Sequence, residues 1–199
     1  MRTQARLLVT TALALGLAAC ANFSSTLSAD ARPDGDHAYL YARLTLTGEA
    51  GQGFCHLRAG LTIEQLDGSG SYNMEFDPDV SVVAIPVKPG TYRLRSLLFA
   101  RCDSYVAGER LIPPSELLAK SFTVKAGTAY YVADMVVQAG MSSNAAGTDA
   151  QGAGPVGQSE MTWQLVSATD NYSQTTRDFN LRYPRLAMLP TAGSIRPRP

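Results

Sequence analysis

The alternation of apolar and polar residues that begins at Ala38 limits this chain more than any other feature. Ala38, Leu40, Ala42, Leu44 and Leu46 fall on one side of an extended chain, with Tyr39, Tyr41, Arg43, Thr45 and Thr47 on the other. A period of two marks a half-buried strand. The pattern returns at Cys55, Leu57, Ala59, Leu61 and Ile63, which face inward while His56, Arg58, Thr62 and Glu64 face out. Asp67-Gly68-Ser69-Gly70 then turns the chain into a strand over 72–76, a hairpin. Residues 80–87 are β-branched and end at Lys88-Pro89-Gly90. From Thr91 a further strand sets Tyr92, Leu94, Ser96 and Leu98 against Arg93 and Arg95, and an unbroken alternation would carry Cys102 onto the Tyr92 face. Residues 103–120 read as irregular, because Pro113 and Pro114 remove backbone donors.

Strands are expected over 121–125, 129–138 and 161–165. The middle one is apolar on both faces, the pattern of a strand covered on both sides. The composition and turns together predict an all-β fold, an antiparallel β-sandwich of about seven or eight strands. One short C-terminal helix is expected over 170–182, capped by Asp170 or Asn171 and stopped by Pro184, with Tyr172, Phe179 and Tyr183 available to pack on a sheet.

Ahead of the first strand lies a different kind of sequence. Arg2 and Arg6 precede an uncharged, mostly apolar run over 7–19, which is shorter than the roughly 20 residues a membrane-spanning helix needs. A basic start, a short apolar run and small residues make a secretory signal. The run ends in Leu17-Ala18-Ala19-Cys20, which resembles a bacterial lipobox. The resemblance implies cleavage before Cys20, a diacylglycerol on its sulfur, and a membrane partner through that lipid. Ala21, where an Asp would favour the inner membrane, implies the periplasmic side of the outer membrane. Residues 1–19 are thus expected as signal peptide, 20–36 as a flexible tether, 37–190 as the domain with a mobile Gly- and Ala-rich loop over 140–157, and 191–199 as a disordered tail.

Cysteine number fits that scheme. With Cys20 lipidated, Cys55 and Cys102 remain, and an oxidising compartment favours a disulfide between them over two free thiols. Without Arg2 and Arg6, fifteen basic residues stand against seventeen acidic ones, a net charge of −2. That balance argues against nucleic acid, which selects a basic face.

Another passage carries a second resemblance. Ile85-Pro86-Val87-Lys88-Pro89-Gly90-Thr91-Tyr92, Phe122-Thr123-Val124-Lys125-Ala126-Gly127 and Tyr130-Tyr131-Val132 are similar to the core of prealbumin-like and carboxypeptidase-regulatory-like sandwich domains, and to envelope lipoproteins with that core. This implies a fold and brings no catalytic residues.

Chemistry-bearing patterns are few. The two histidines, His37 and His56, have no cysteine or acidic cluster at ligand spacing, so no metal or cofactor is expected. No Gly-x-Ser-x-Gly elbow or phosphate-binding loop occurs, and Asp77-Pro78-Asp79 reads as a turn. The expectation is a non-enzyme. The suggestive surface is an outward face of Tyr39, Tyr41, Arg43, His56, Arg58, Arg93 and Arg95, suited to an envelope protein or the cell wall. A small-ligand or glycan-binding protein using the same tyrosines and arginines is the alternative, and an enzyme using loop carboxylates a third reading.

Overall fold

The structure is a computed structural model that describes residues 26–48, 58–76, 80–100, 110–112, 121–143 and 159–193. Among the described residues the fold is predominantly β, with two five-stranded sheets and one helix. The strands are β1 (Ala38–Gly48), β2 (Arg58–Gln65), β3 (Ser71–Phe76), β4 (Val83–Val87), β5 (Gly90–Ala100), β6 (Arg110–Ile112), β7 (Ser121–Val124), β8 (Ala129–Ser143), β9 (Ser159–Thr169) and β10 (Thr191–Ala192). Helix α1 (Tyr172–Arg182) lies between β9 and β10.

Sheet A has the order β10-β8-β1-β4, with β9 also paired to β8. Sheet B has the order β3-β2-β5-β6, with β7 also paired to β5. Each sheet therefore has one long strand, β8 or β5, with one edge shared by two shorter strands. On β8 that edge is taken by β10 at Ala129 and Tyr130 and by β9 from Asp134 onward. The chain leaves β9 at this edge, forms α1, and returns to the same edge.

The alternation did its work on both sheets. Leu40, Ala42, Val83, Ile85, Val132 and Met135 of sheet A share one buried cluster with Leu61, Ile63, Met74, Tyr92, Leu94 and Leu97 of sheet B. At Gly90, which opens β5, a Cβ would stand 2.8 Å from Asp67 Oδ1. The Asp67 carboxylate is there to accept Thr91 N–H at 2.8 Å, so the close approach calls for glycine. Gly127, at the turn before β8, has φ of 69°, the left-handed region that glycine enters without a Cβ penalty.

Several expectations need correcting. The strands are not all antiparallel: β1 and β10 both run parallel to β8. Periodicity places side chains on faces but says nothing of strand direction. Among the described residues ten strands form, because Arg110–Ile112 pairs with β5 just before Pro113, and Thr191–Ala192 pairs with β8 where a disordered tail was expected. Strand β8 also continues through 140–143, the expected start of the loop, by pairing with β9. Within the expected tether, the described residues from Thr26 on contact the domain. Thr26 Oγ1 donates to Glu75 O at 2.7 Å, Leu27 N–H donates to Ala84 O at 2.9 Å, and the Leu27 side chain packs against the cluster of Tyr39, Tyr41 and Tyr183. Finally, Thr62 pairs with Ser96 and Ile63 with Leu94, which leaves one extra residue in β5 at Arg95. This bulge makes Leu97, rather than Ser96, the next core residue, so the unbroken alternation on which the Cys102 parity rested does not hold.

Candidate functional site

The seven residues expected to make one face do not share one. Tyr39, Tyr41 and Arg43 stand on β1 in sheet A, whereas Arg93 and Arg95 stand on β5 in sheet B. Both sets point away from the shared core, hence to opposite outer faces. Tyr39 and Tyr41 are moreover 2% and 0% exposed: Tyr41 lies under Phe179 of α1, and the Tyr39 hydroxyl bonds to the Asp34 backbone of the N-terminal segment. Arg58 begins β2 in sheet B. His56, Cys20, Cys55 and Cys102 lie outside the described residues.

The covered face of sheet A is aromatic, then polar. Tyr41 stacks on Phe179 with ring centroids 4.3 Å apart, and Phe179 meets Tyr183 at 5.4 Å. Phe179 and Thr175 are one helical turn apart, so both point at the sheet. The Tyr41 hydroxyl is 2.7 Å from Thr176 Oγ1, which satisfies a phenol that burial pushes well above its ordinary range.

Beside the rings sits Asp134, only 5% exposed. Tyr41 pairs with Tyr131 but Arg43 pairs with Asp134, so β8 carries one extra residue between them. That bulge moves Asp134 off the core-facing parity of Tyr130 and Val132 and onto the helix side, next to Tyr131. There its carboxylate is well supplied. Thr175 Oγ1 donates to Oδ1 at 2.7 Å, the Tyr131 hydroxyl lies 3.0 Å from the same oxygen, and Asn171 Nδ2 donates to Oδ2 at 3.1 Å. Arg43 Nε stands 4.0 Å from Oδ2, while Arg43 Nη2 binds Asp178 of the helix. The Tyr131 hydroxyl also accepts Asn171 N–H at 3.0 Å. Asn171 is the residue before the helix, yet its side chain makes no cap bond and turns to Asp134 and Thr169 instead.

Chemically this is a clamp between sheet and helix. Donors from both elements converge on one carboxylate whose lone pairs they occupy, and a buried charge so supplied is stable where a bare one is not. The sequence reading missed Asp134 and Asp178. The available signal was a single carboxylate inside an apolar strand.

Among the described residues nothing covers the outer face of sheet B, and that face is polar. Arg93 Nη2 donates to Glu64 Oε2 at 2.8 Å, a bond that holds Glu64 below the usual carboxylate range. Thr62 Oγ1 donates to Asn73 Oδ1 at 3.0 Å, and the Thr91 and Thr123 hydroxyls lie 3.3 Å apart. These are cross-strand neighbours across β3, β2, β5 and β7. Arg95, at the bulge, is exposed. Among the described residues no cluster of three or more His, Cys, Asp or Glu is placed to hold a metal ion, and no helix is long and apolar enough to cross a membrane.

No family model matches the chain, and no curated protein is similar to it. A solved leucine-rich repeat protein from Bacteroides thetaiotaomicron is similar at a TM-score of 0.30 and 15% identity, over 55% of this chain and 14% of that one. The chain thus spans a small part of that protein's length, and a likeness of this size carries no argument.

Proposed function

We propose that this is a lipid-anchored protein of the bacterial envelope whose domain, a β-sandwich in architecture, is a non-catalytic interaction or structural module. The observation that carries the proposal is the leader: two arginines, a short apolar run and Leu17-Ala18-Ala19-Cys20 in the order that lipidation requires. Two or more acyl chains hold a protein stably at a bilayer. The resemblance of 85–132 to prealbumin-like domains supports the architecture, as does the core shared by the two sheets.

The interaction face is the open side of sheet B, with Arg93 and Arg95, and its partner is another envelope protein or the cell wall. The small-ligand and glycan alternative relied on Tyr39 and Tyr41 as exposed rings, and both are buried.

The anchor is tested by the mass of the mature N-terminus from envelope fractions, for the natural chain and for Cys20→Ala. The natural chain is expected to begin at a diacylglyceryl-modified Cys20 and to sediment with membranes, and the variant to be released. A natural chain without fatty acyl mass overturns the proposal.

A further inference from the structure

The N-terminal segment reaches the domain at a particular place. Leu27 packs against the apolar cluster that includes Tyr183 and Leu186, and its carbonyl accepts from the Tyr183 hydroxyl at 3.4 Å. The stretch that receives it, from the end of α1 to Leu189, also carries two large apolar side chains turned to solvent. Leu181 is 81% exposed and Met188 86%. In sequence they flank Tyr183 and Leu186, members of the cluster that Leu27 joins. Three arginines stand with them. Arg182 donates from Nε to the same Tyr183 hydroxyl at 3.3 Å, and Arg185 and Arg32 both lie close enough to Asp30 to help lower its pKa, after the Ser28 hydroxyl that contributes most. The segment also bears Asp34, held by His37 at 3.0 Å, and Asp36.

Five residues, Ala21 to Ser25, join Cys20 to Thr26. However they run, six Cα–Cα steps span at most about 20 Å. A lipid on Cys20 is therefore held within that reach of Thr26, and the surface next to Thr26 and Leu27 is the part of the domain brought nearest to it. We infer that the surface carrying Leu181, Met188, Arg32, Arg182 and Arg185, on the stretch that receives Leu27, is a bilayer-contact face that orients the domain on the membrane. This rests on the anchor reading above. Two acyl chains already secure retention. The surface adds orientation: exposed apolar tips enter the interface, and arginines sit at the level of the phosphates. The open face of sheet B, on the far side of the core, is left clear for a partner.

The test uses the full chain matured in bacterial envelopes, its lipid verified by intact mass, then reconstituted in phosphatidylethanolamine–phosphatidylglycerol vesicles with brominated acyl chains. Three variants, Leu181→Trp, Met188→Trp and Thr123→Trp, keep the native Trp163 as a common background. The first two are expected to show a blue shift and a loss of emission that Thr123→Trp, on the open face, lacks. A lipidated chain in which all three behave alike overturns this inference and leaves the anchor intact. A chain without lipid mass overturns both.

Discussion

The two sheets present outer faces built by the same rule and finished in opposite ways. On sheet A the outward residues are Tyr39, Tyr41 and Tyr131, and they are buried in one cluster with Phe179 and Tyr183 of the helix and its end. On sheet B the outward residues are Thr62, Glu64, Thr91, Arg93 and Thr123, and among the described residues no helix lies over them. Period-two patterning distinguishes core-facing from outward residues on both. It does not say whether outward means solvent. The residue types do: a row of tyrosines calls for a second apolar layer, whereas a row of threonines and paired charges is content in water. A charged group can join the first kind of face only with partners, as Asp134 does.

This contrast is tested most severely at Asp134. Replacing it with alanine strips the acceptor from the Thr175 and Tyr131 hydroxyls and from Asn171, and leaves Arg43 with Asp178 alone. Leaving a buried donor without its acceptor costs about 1–3 kcal/mol. Urea denaturation of Asp134→Ala is expected to show a loss of that size. A loss below about 1 kcal/mol would mean that the helix is held by its rings alone and that the clamp contributes little.

Alkaline titration sharpens the same comparison. Burial raises the phenol pKa of Tyr41, Tyr131 and, in the shared core, Tyr92. In the unfolded chain these phenols ionise near about pH 10. Below that value both states keep their protons and the contribution of burial is complete. Above it the unfolded chain loses protons that the folded chain retains, so stability falls as pH rises. Each such tyrosine adds a slope of up to about 1.4 kcal/mol per pH unit. Urea midpoints followed above pH 10 are expected to fall steeply in the natural chain and less steeply in Tyr41→Phe, by the share of one proton. An unchanged slope in the variant would show that Tyr41 ionises in the folded state as freely as in the unfolded one.

How much of this was legible follows from the same physics. The core-facing set Leu40, Ala42, Leu61, Ile63, Tyr92 and Leu94 was readable because alternation is local. The helix over 172–182 was readable from Pro184 and from the spacing of Tyr172, Phe179 and Tyr183. What failed was whatever one extra residue changes. The bulge at Arg95 brings Leu97 inward, and the bulge before Asp134 turns that carboxylate toward the helix. A bulge leaves almost no mark on composition, yet it reverses every assignment beyond it. Sheet membership failed for a related reason. Nothing local told that β1 belongs beside β8, some ninety residues on, rather than beside β2, so Tyr41 and Arg93 were grouped on one face. The tyrosines could have been read differently, since three rings in outward positions are themselves a sign of a covering layer.

The smallest stability effect belongs to the open face, and it separates the two faces most cleanly. Arg93 and Glu64 are a cross-strand ion pair whose side chains are 48% and 33% exposed. Exposed pairs contribute about 0.2–1 kcal/mol, since water solvates each partner nearly as well as they solvate one another. The double variant Arg93→Glu/Arg95→Glu sets like charges at positions 64 and 93, and a destabilisation of no more than about 1 kcal/mol is expected. If this face is the interaction surface, the same variant in native envelopes should lose a reproducible crosslinked partner while its urea midpoint barely moves. Recognition and stability would then reside on opposite sides of one core. Should the midpoint fall as far as it does for Asp134→Ala, the open face is structural after all, and the division between a clamped side and a free one is wrong.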